Sequence, residues 1–237
     1  MTYYTIHNML VDLHIHTKFS DGHSSPSAII KTAISKGISC IAFTDHHDCR
    51  AYGEAMEYIK NNNLEKKIWI LPGVEITCAE NKIFSSFIYQ RHLLLFGGDQ
   101  KQLEEFVKDN RKYYLFSDVF KLAKKSKSLV IVPHPNIFGG IRTMNLLEVM
   151  RYAKFIDAIE EHNGINKQAY PKFIYNILHQ NRLEIGKICH LPMMANSDAH
   201  MKFTVGRYCD TEILGRPKNI KELISYIKKR KFRSHLR

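Results

Sequence analysis

Histidines and carboxylates recur just after short apolar runs along nearly the whole chain. The runs are residues 10–13, 40–43, 68–71, 129–132 and 193–195, and the residues that follow them are His14/His16, Asp45/His46, Glu75, His134 and Asp198/His200. His14 and His16 are separated by one residue, as are Asp198 and His200. Side chains alternate with period two along a strand, so each pair faces one side. Imidazoles and carboxylates aimed at one point from several strand ends are natural ligands of a polynuclear metal site. Taken singly, each signal has a plainer reading. Asp21-Gly22 is a turn, Glu75 a solvated acid, and His92, which precedes the apolar run 93–96, a satisfied core histidine. Asp45-His46-His47-Asp48 is too polar for a core. Pro133 and Pro135 flank His134 and should hold its backbone extended. Taken together, five strand-end coincidences carry the metal reading.

Strands alternating with helices would position these residues. The expected strands are 10–13, 40–43, 68–71, 93–96, 129–132, 158–159 and 193–195. The first helix should start with Ser25 as N-cap and Pro26 at its first position, bury Ile29, Ile30, Ala33 and Ile34, and end at Gly37. Further helices are expected at 52–60, around Leu103, Phe106 and Val107, and at 118–125, 146–153 and 172–180. The last carries Ile220, Leu223, Ile224 and Ile227 at helical spacing. Such alternation predicts a parallel α/β sheet with right-handed crossovers. A barrel gathers the C-terminal strand ends on one face, where the polar residues fall.

No repeat, low-complexity stretch or linker divides the 237 residues, so one domain spanning 1–237 is expected. An apolar fraction of 44% supports a packed core. No apolar run approaches the ~18–20 residues that span a bilayer, and no secretory signal is visible, so no membrane partner is expected. The five cysteines are odd in number and form no CxxC pair, which fits a reducing cytoplasm better than a disulfide scaffold. The net charge is +12, and the last twenty residues hold eight Lys/Arg against one Glu.

The motifs resemble the PHP family, the polymerase-and-histidinol-phosphatase group of metal-dependent phosphoesterases. The likeness runs through Val11-Asp12-Leu13-His14-Ile15-His16-Thr17, Ser20-Asp21-Gly22, Ala42-Phe43-Thr44-Asp45-His46, Gly73-Val74-Glu75, His92-Leu93-Leu94, Pro133-His134-Pro135 and Asn196-Ser197-Asp198-Ala199-His200. It implies a distorted seven-stranded (β/α)7 barrel, in agreement with the seven expected strands. It also implies three divalent metals. The first is held by His14, His16, Glu75 and Asp198. The second shares Glu75 and adds His92 and His134, and the third takes Asp21, His46 and His200. Of these, Asp198, Glu75, His46 and His200 are the catalytic candidates.

Three divalent ions carry a formal +6, and Asp21, Glu75 and Asp198 return −3, so the centre should prefer an anionic substrate. The expected reaction is hydrolysis of a phosphate ester by a metal-bound hydroxide. The substrate is a nucleotide, an oligonucleotide or a small phosphometabolite such as histidinol phosphate. Mixed imidazole and carboxylate ligation suits manganese, iron or zinc. Arg142, Lys18 and Arg207 lie just beyond strand ends and could hold a second phosphate. Residues 160–163 should border the same mouth, where His162 or His47 could protonate a leaving group. Beyond the last helix, Lys228, Lys229, Arg230, Lys231 and Arg233 form a cationic tail, either solvated or a guide for nucleic acid. The competing reading is a non-enzymatic, metal-stabilised module that docks nucleic acid or a partner protein.

Overall fold

The computed structural model describes residues 8–81, 90–136, 138–140 and 142–236. Its elements are β1 (Met9–Asp12), α1 (Pro26–Ser35), β2 (Ile38–Ala42), α2 (Arg50–Asn61), β3 (Trp69–Leu71), β4 (Gly73–Ala79), β5 (Arg91–Phe96), α3 (Gln100–Val107), β6 (Tyr114–Leu115), α4 (Phe116–Ser126), β7 (Leu129–Val132), α5 (Leu146–Tyr152), β8 (Ala158–Asn163), α6 (Gly164–Ala169), α7 (Lys172–Cys189), β9 (Met193–Asn196), β10 (Cys209–Ile213), α8 (Ile220–Lys228) and β11 (Phe232–Leu236). All seven expected strands form, and α1 begins as expected: the Ser25 side chain accepts from Ala28 N, with Pro26 at the first helical position.

The strands lie in two mixed sheets, ordered β11-β10-β1-β2-β3 and β6-β4-β5-β7-β8-β9. The expectation of a purely parallel sheet is therefore corrected. β5 runs antiparallel to both β4 and β7. Only residues 80–90 separate β4 from β5, fewer than the dozen or so that a parallel crossover takes. β1 and β10 also pair antiparallel.

The strand ladders alone show no closed barrel, but hydrogen bonds stitch the sheets together at one end. Past β2, Glu75 N donates to Asp45 O and His47 N to Glu75 O; past β1 and β9, His16 N donates to Ala199 O and Ala199 N to His14 O. Side chains add a seam between β9 and β10, where Thr211 Oγ1 bonds both the N and the O of Ala195 at 2.9 and 2.8 Å. Val11, Leu71, Leu94, Phe96, Ile131 and Met194 fill the space between the sheets. Burying each such side chain contributes roughly 1.5–3 kcal/mol.

The cationic tail is corrected too. Arg233 lies opposite Glu212 in the β10–β11 ladder, and Ser234 Oγ donates to Met193 O at 2.8 Å. Residues 232–236 are thus an edge strand, held by a ladder that a local reading of FRSHL does not reveal. Arg237 lies outside the described residues.

Candidate metal centre

The nine expected ligands converge at the stitched end. His14 and His16 extend from β1, His46 follows β2, Glu75 sits on β4, His134 follows β7, and Asp198 and His200 follow β9. His92 precedes its apolar run because β5 is antiparallel: the start of β5 lies at the end where its neighbours finish, with His92 opposite Thr77. Asp21 arrives on a turn folded against His16. A Cβ on Gly22 would come within 2.5 Å of the His16 carbonyl carbon and oxygen, so this turn requires glycine.

Glu75 is the hub. Its Oε2 lies 3.2 Å from His14 Nε2, 3.1 Å from His16 Nε2 and 3.5 Å from His46 Nδ1; its Oε1 lies 2.6 Å from His92 Nδ1 and 3.9 Å from His134 Nε2. Asp198 Oδ1 lies 3.3 and 3.4 Å from the Nε2 atoms of His14 and His16. Asp21 lies 3.4 Å from each of His16, His46 and His200. Glu75 and His16 are 1% exposed while the Asp21 side chain is 51% exposed, so the group opens to solvent on the Asp21 side.

These atoms fit metal ions. Ligand atoms of His14, His16 and Asp198 lie within 4.8 Å of one another, as do those of His16, Asp21 and His200, of His16, His46 and Glu75, and of Glu75, His92 and His134. His46 Nδ1, Glu75 Oε1 and His92 Nε2 are buried without a hydrogen bond of good geometry, although Oε1 is close to His92 Nδ1. Donors that face one another without bonding are arranged for an ion between them. Electrostatics agree. Burial opposes charge on His14, but Asp198, Glu160 and Glu75 outweigh it and hold its pKa well above the ordinary value. Burial likewise opposes charge on Glu75 and Asp198, yet the surrounding imidazoles hold both carboxyls well below the usual range. Burial pushes His92 down to about 4. A cationic load is thus expected by the carboxylates, and ions would displace the protons on His14 and His16.

Two ligands carry positive φ, His134 at 36° and Asp198 at 51°. Extended backbone at His134, expected from its flanking prolines, is therefore not found; its N–H instead donates to Glu160 Oε2 at 3.0 Å. Non-glycine residues in this region cost about 1–2 kcal/mol each and persist where the surroundings impose them.

Glu160 is the residue whose role the sequence did not reveal. Fully buried on β8, it accepts from His14 Nδ1 at 2.8 Å and from Asn196 Nδ2 and Asn163 Nδ2 at 3.0 Å. Asn163 Nδ2 also donates to Asp198 Oδ2 at 3.0 Å. A bulge makes this possible. The register slips between Glu160 and His162, so Glu160 and Asn163 both face inward despite a spacing of three. The apolar run of β8 followed by Glu160 was the available signal.

The outer residues scatter. Arg142 stays beside the centre, where its carbonyl accepts from His92 N at 3.1 Å and its charge helps lower His47. Lys18 pairs with Glu54 at 2.9 Å, and Arg207 lies over the Tyr208 ring. His162 turns away toward α7, with Nδ1 2.9 Å from the Tyr175 hydroxyl. His47 is held at both nitrogens, by Arg111 O at 2.6 Å and Thr77 N at 2.8 Å. Neither His47 nor His162 is brought to the centre as a proton donor: the first is locked in the backbone and the second lies across β8.

Comparison with known proteins identifies the family and the fold. The PHP domain profile matches residues 12–185 and a PHP-associated profile matches 187–232, so the chain belongs to the PHP family. The 5'-3' exoribonuclease Rnm of Escherichia coli is 36% identical over 73 residues, 31% of this chain and 24% of the relative. The chain therefore matches only about a quarter of that relative's length. A two-domain protein from Bacteroides vulgatus, described as containing a predicted PHP-like metal-dependent phosphoesterase, superposes with a TM-score of 0.69 at 16% identity, over 97% of this chain and 65% of that one. PsfC from Pseudomonas syringae gives a TM-score of 0.69 at 18% identity, over 97% and 92% of the two chains. Among the described residues, no helix is long and apolar enough to cross a membrane.

Proposed function

We propose that this chain is a hydrolase of phosphate ester bonds whose nine convergent residues hold three divalent ions. His14, His16, Glu75 and Asp198 would hold the first, Glu75, His92 and His134 the second, and Asp21, His46 and His200 the third. The observation that carries this is Glu75: a carboxylate 1% exposed that approaches five imidazoles and, among the described residues, pairs with no lysine or arginine. Divalent ions at such a centre lower the pKa of bound water toward ~7 and polarise phosphoryl oxygens. The chain's residues do the positioning. Glu160 orients His14, Asn163 orients Asp198, and Asp21, His46 and His200 border the open side where an anion enters. Arg142, whose charge acts on the neighbouring His47, is the cation proposed to meet a phosphate.

The nucleotide or oligonucleotide class draws support from the likeness to an exoribonuclease, and a small phosphometabolite fits the same charge. The ions are manganese, iron or zinc by donor type. The two stitched sheets act as walls of one distorted barrel, and the chain acts as a single domain, because β10 and β11 complete the sheet that β1 begins. Five free thiols suit the reducing cytoplasm.

The test is release of phosphate or nucleotide from a panel of phosphate mono- and diesters, with and without Mn²⁺. Metal-dependent turnover of at least one class is expected. A fully loaded protein that cleaves nothing would favour the metal-stabilised docking module instead.

A further inference from the structure

A second group of donors lies behind β8. The bulge that turns Glu160 and Asn163 inward leaves His162 opposite Ala195, on the outer face, where α7 packs. Tyr175 and His179 come from successive turns of α7, and the rings of His162 and His179 stack with centroids 4.2 Å apart and planes at 27°. One ligand atom from each of Glu161, His162 and His179 lies within 4.8 Å of the other two. Donors around one ion, with bonds of about 2.0–2.2 Å, stand roughly 3–3.5 Å apart, so modest side-chain rotation closes the set.

We propose that Glu161, His162 and His179 form a separate site for one borderline divalent ion such as Zn²⁺, clamping α7 to β8. Two imidazoles and one carboxylate form a set that binds zinc with a fourth position left to water. With Nδ1–H of His162 donated to the Tyr175 hydroxyl, Nε2 keeps its lone pair for the ion, the usual outer support of a ligating histidine. Burial pushes His162 down to about 3 and lowers His179 too, so protons do not compete near neutral pH. Burial raises the Glu161 carboxyl, and a bound cation would supply the counter-charge. Arg182 opposes a cation here. Its guanidinium is directed to Pro135 O, Glu161 O and the Asn166 side chain, and the buried Glu160 carboxylate partly offsets its charge. The site should therefore be weaker than the centre at the mouth and should favour zinc over magnesium.

The proposal does not depend on hydrolysis and is tested apart from it. Full-length protein stripped with chelator is dialysed against Zn²⁺, and bound zinc is counted for wild type, Glu161→Gln and His179→Gln. Each variant is expected to bind one equivalent fewer, with Mn²⁺-dependent activity of the loaded enzyme unchanged. Equal stoichiometry in wild type and variants overturns the proposal. On the wild type alone, Zn²⁺ should protect His179 from diethyl pyrocarbonate, read by mass spectrometry, and labelling unaffected by zinc overturns it even where a variant fails to fold.

Discussion

His14 Nδ1 lies 2.8 Å from Oε1 of Glu160, a carboxylate with no solvent exposure. The contact fixes the imidazole so that Nε2 faces Glu75 and Asp198, and it makes that nitrogen a better donor. Glu160→Gln keeps the shape and removes the charge. Metal affinity at the mouth should fall about 10- to 100-fold, as outer partners of metal-binding histidines usually show. Calorimetric titration of the stripped protein with Mn²⁺ measures this. An unchanged affinity would leave Glu160 a packing residue.

Elemental analysis after purification with manganese should find close to three equivalents per chain at the mouth. His134→Ala should lose one of them and most activity. Glu75→Ala should lose more than one, because Glu75 reaches both His14/His16 and His92/His134. One equivalent or fewer in the wild type would remove the three-ion proposal.

Asp198→Asn tests the assignment of the reacting ion. Asp198 touches His14 and His16 and is itself braced by Asn163. If it supports the transition state, kcat should fall far more than KM rises. A variant with the wild-type kcat would move the reacting position elsewhere in the centre.

Stability should depend on His162 in acid. Burial, with the neighbouring His179, Arg182 and Lys167, lowers its pKa from the ordinary 6.5 to about 3. The unfolded chain therefore binds more protons between those values, and stability is full above about 6.5 and lost as pH falls toward 3. The slope from this one group is at most about 1.4 kcal/mol per pH unit. Urea unfolding in chelator, from pH 4 to 7, should show a shallower slope for His162→Gln than for the wild type.

Two of the basic C-terminal residues line a cleft away from the metal centre. Lys228 and Lys229 join Lys124, Lys127, Lys154 and Lys221 along a cleft of about 910 Å³ beside Ser128 and Asp157. These two residues lie at the starts of β7 and β8, the end opposite the metal centre. If this cleft holds oligonucleotide, Lys228→Ser with Lys229→Ser should reduce the log–log salt slope by about 1.4–1.8, using ~0.7–0.9 per phosphate contact. Turnover of a small monoester should stay the same. Wild type that binds no oligonucleotide at low salt makes the cleft a solvated surface.

The sequence by itself showed imidazoles and carboxylates gathered just past short apolar runs, a pattern suited to metal. The period-two pair His14/His16, placed just past an apolar run, needs only local extended geometry to point the same way, whereas Asp198, at φ 51°, departs from strand geometry and is brought to the group by tertiary contacts. The start of α1 at Ser25 and Pro26 was legible for the same reason, since capping is local chemistry. Other features depended on partners distant in the chain. The strand at residues 232–236 exists because Glu212 and its neighbours pair with it, and the antiparallel run of β5 alone explains why His92 precedes its apolar run. The role of Glu160 was hidden because a one-residue bulge decides which face of β8 each side chain takes, and no local pattern reports a bulge. Donor types and spacing are written in the chain, whereas register, strand direction and side-chain facing emerge only when residues far apart in sequence meet.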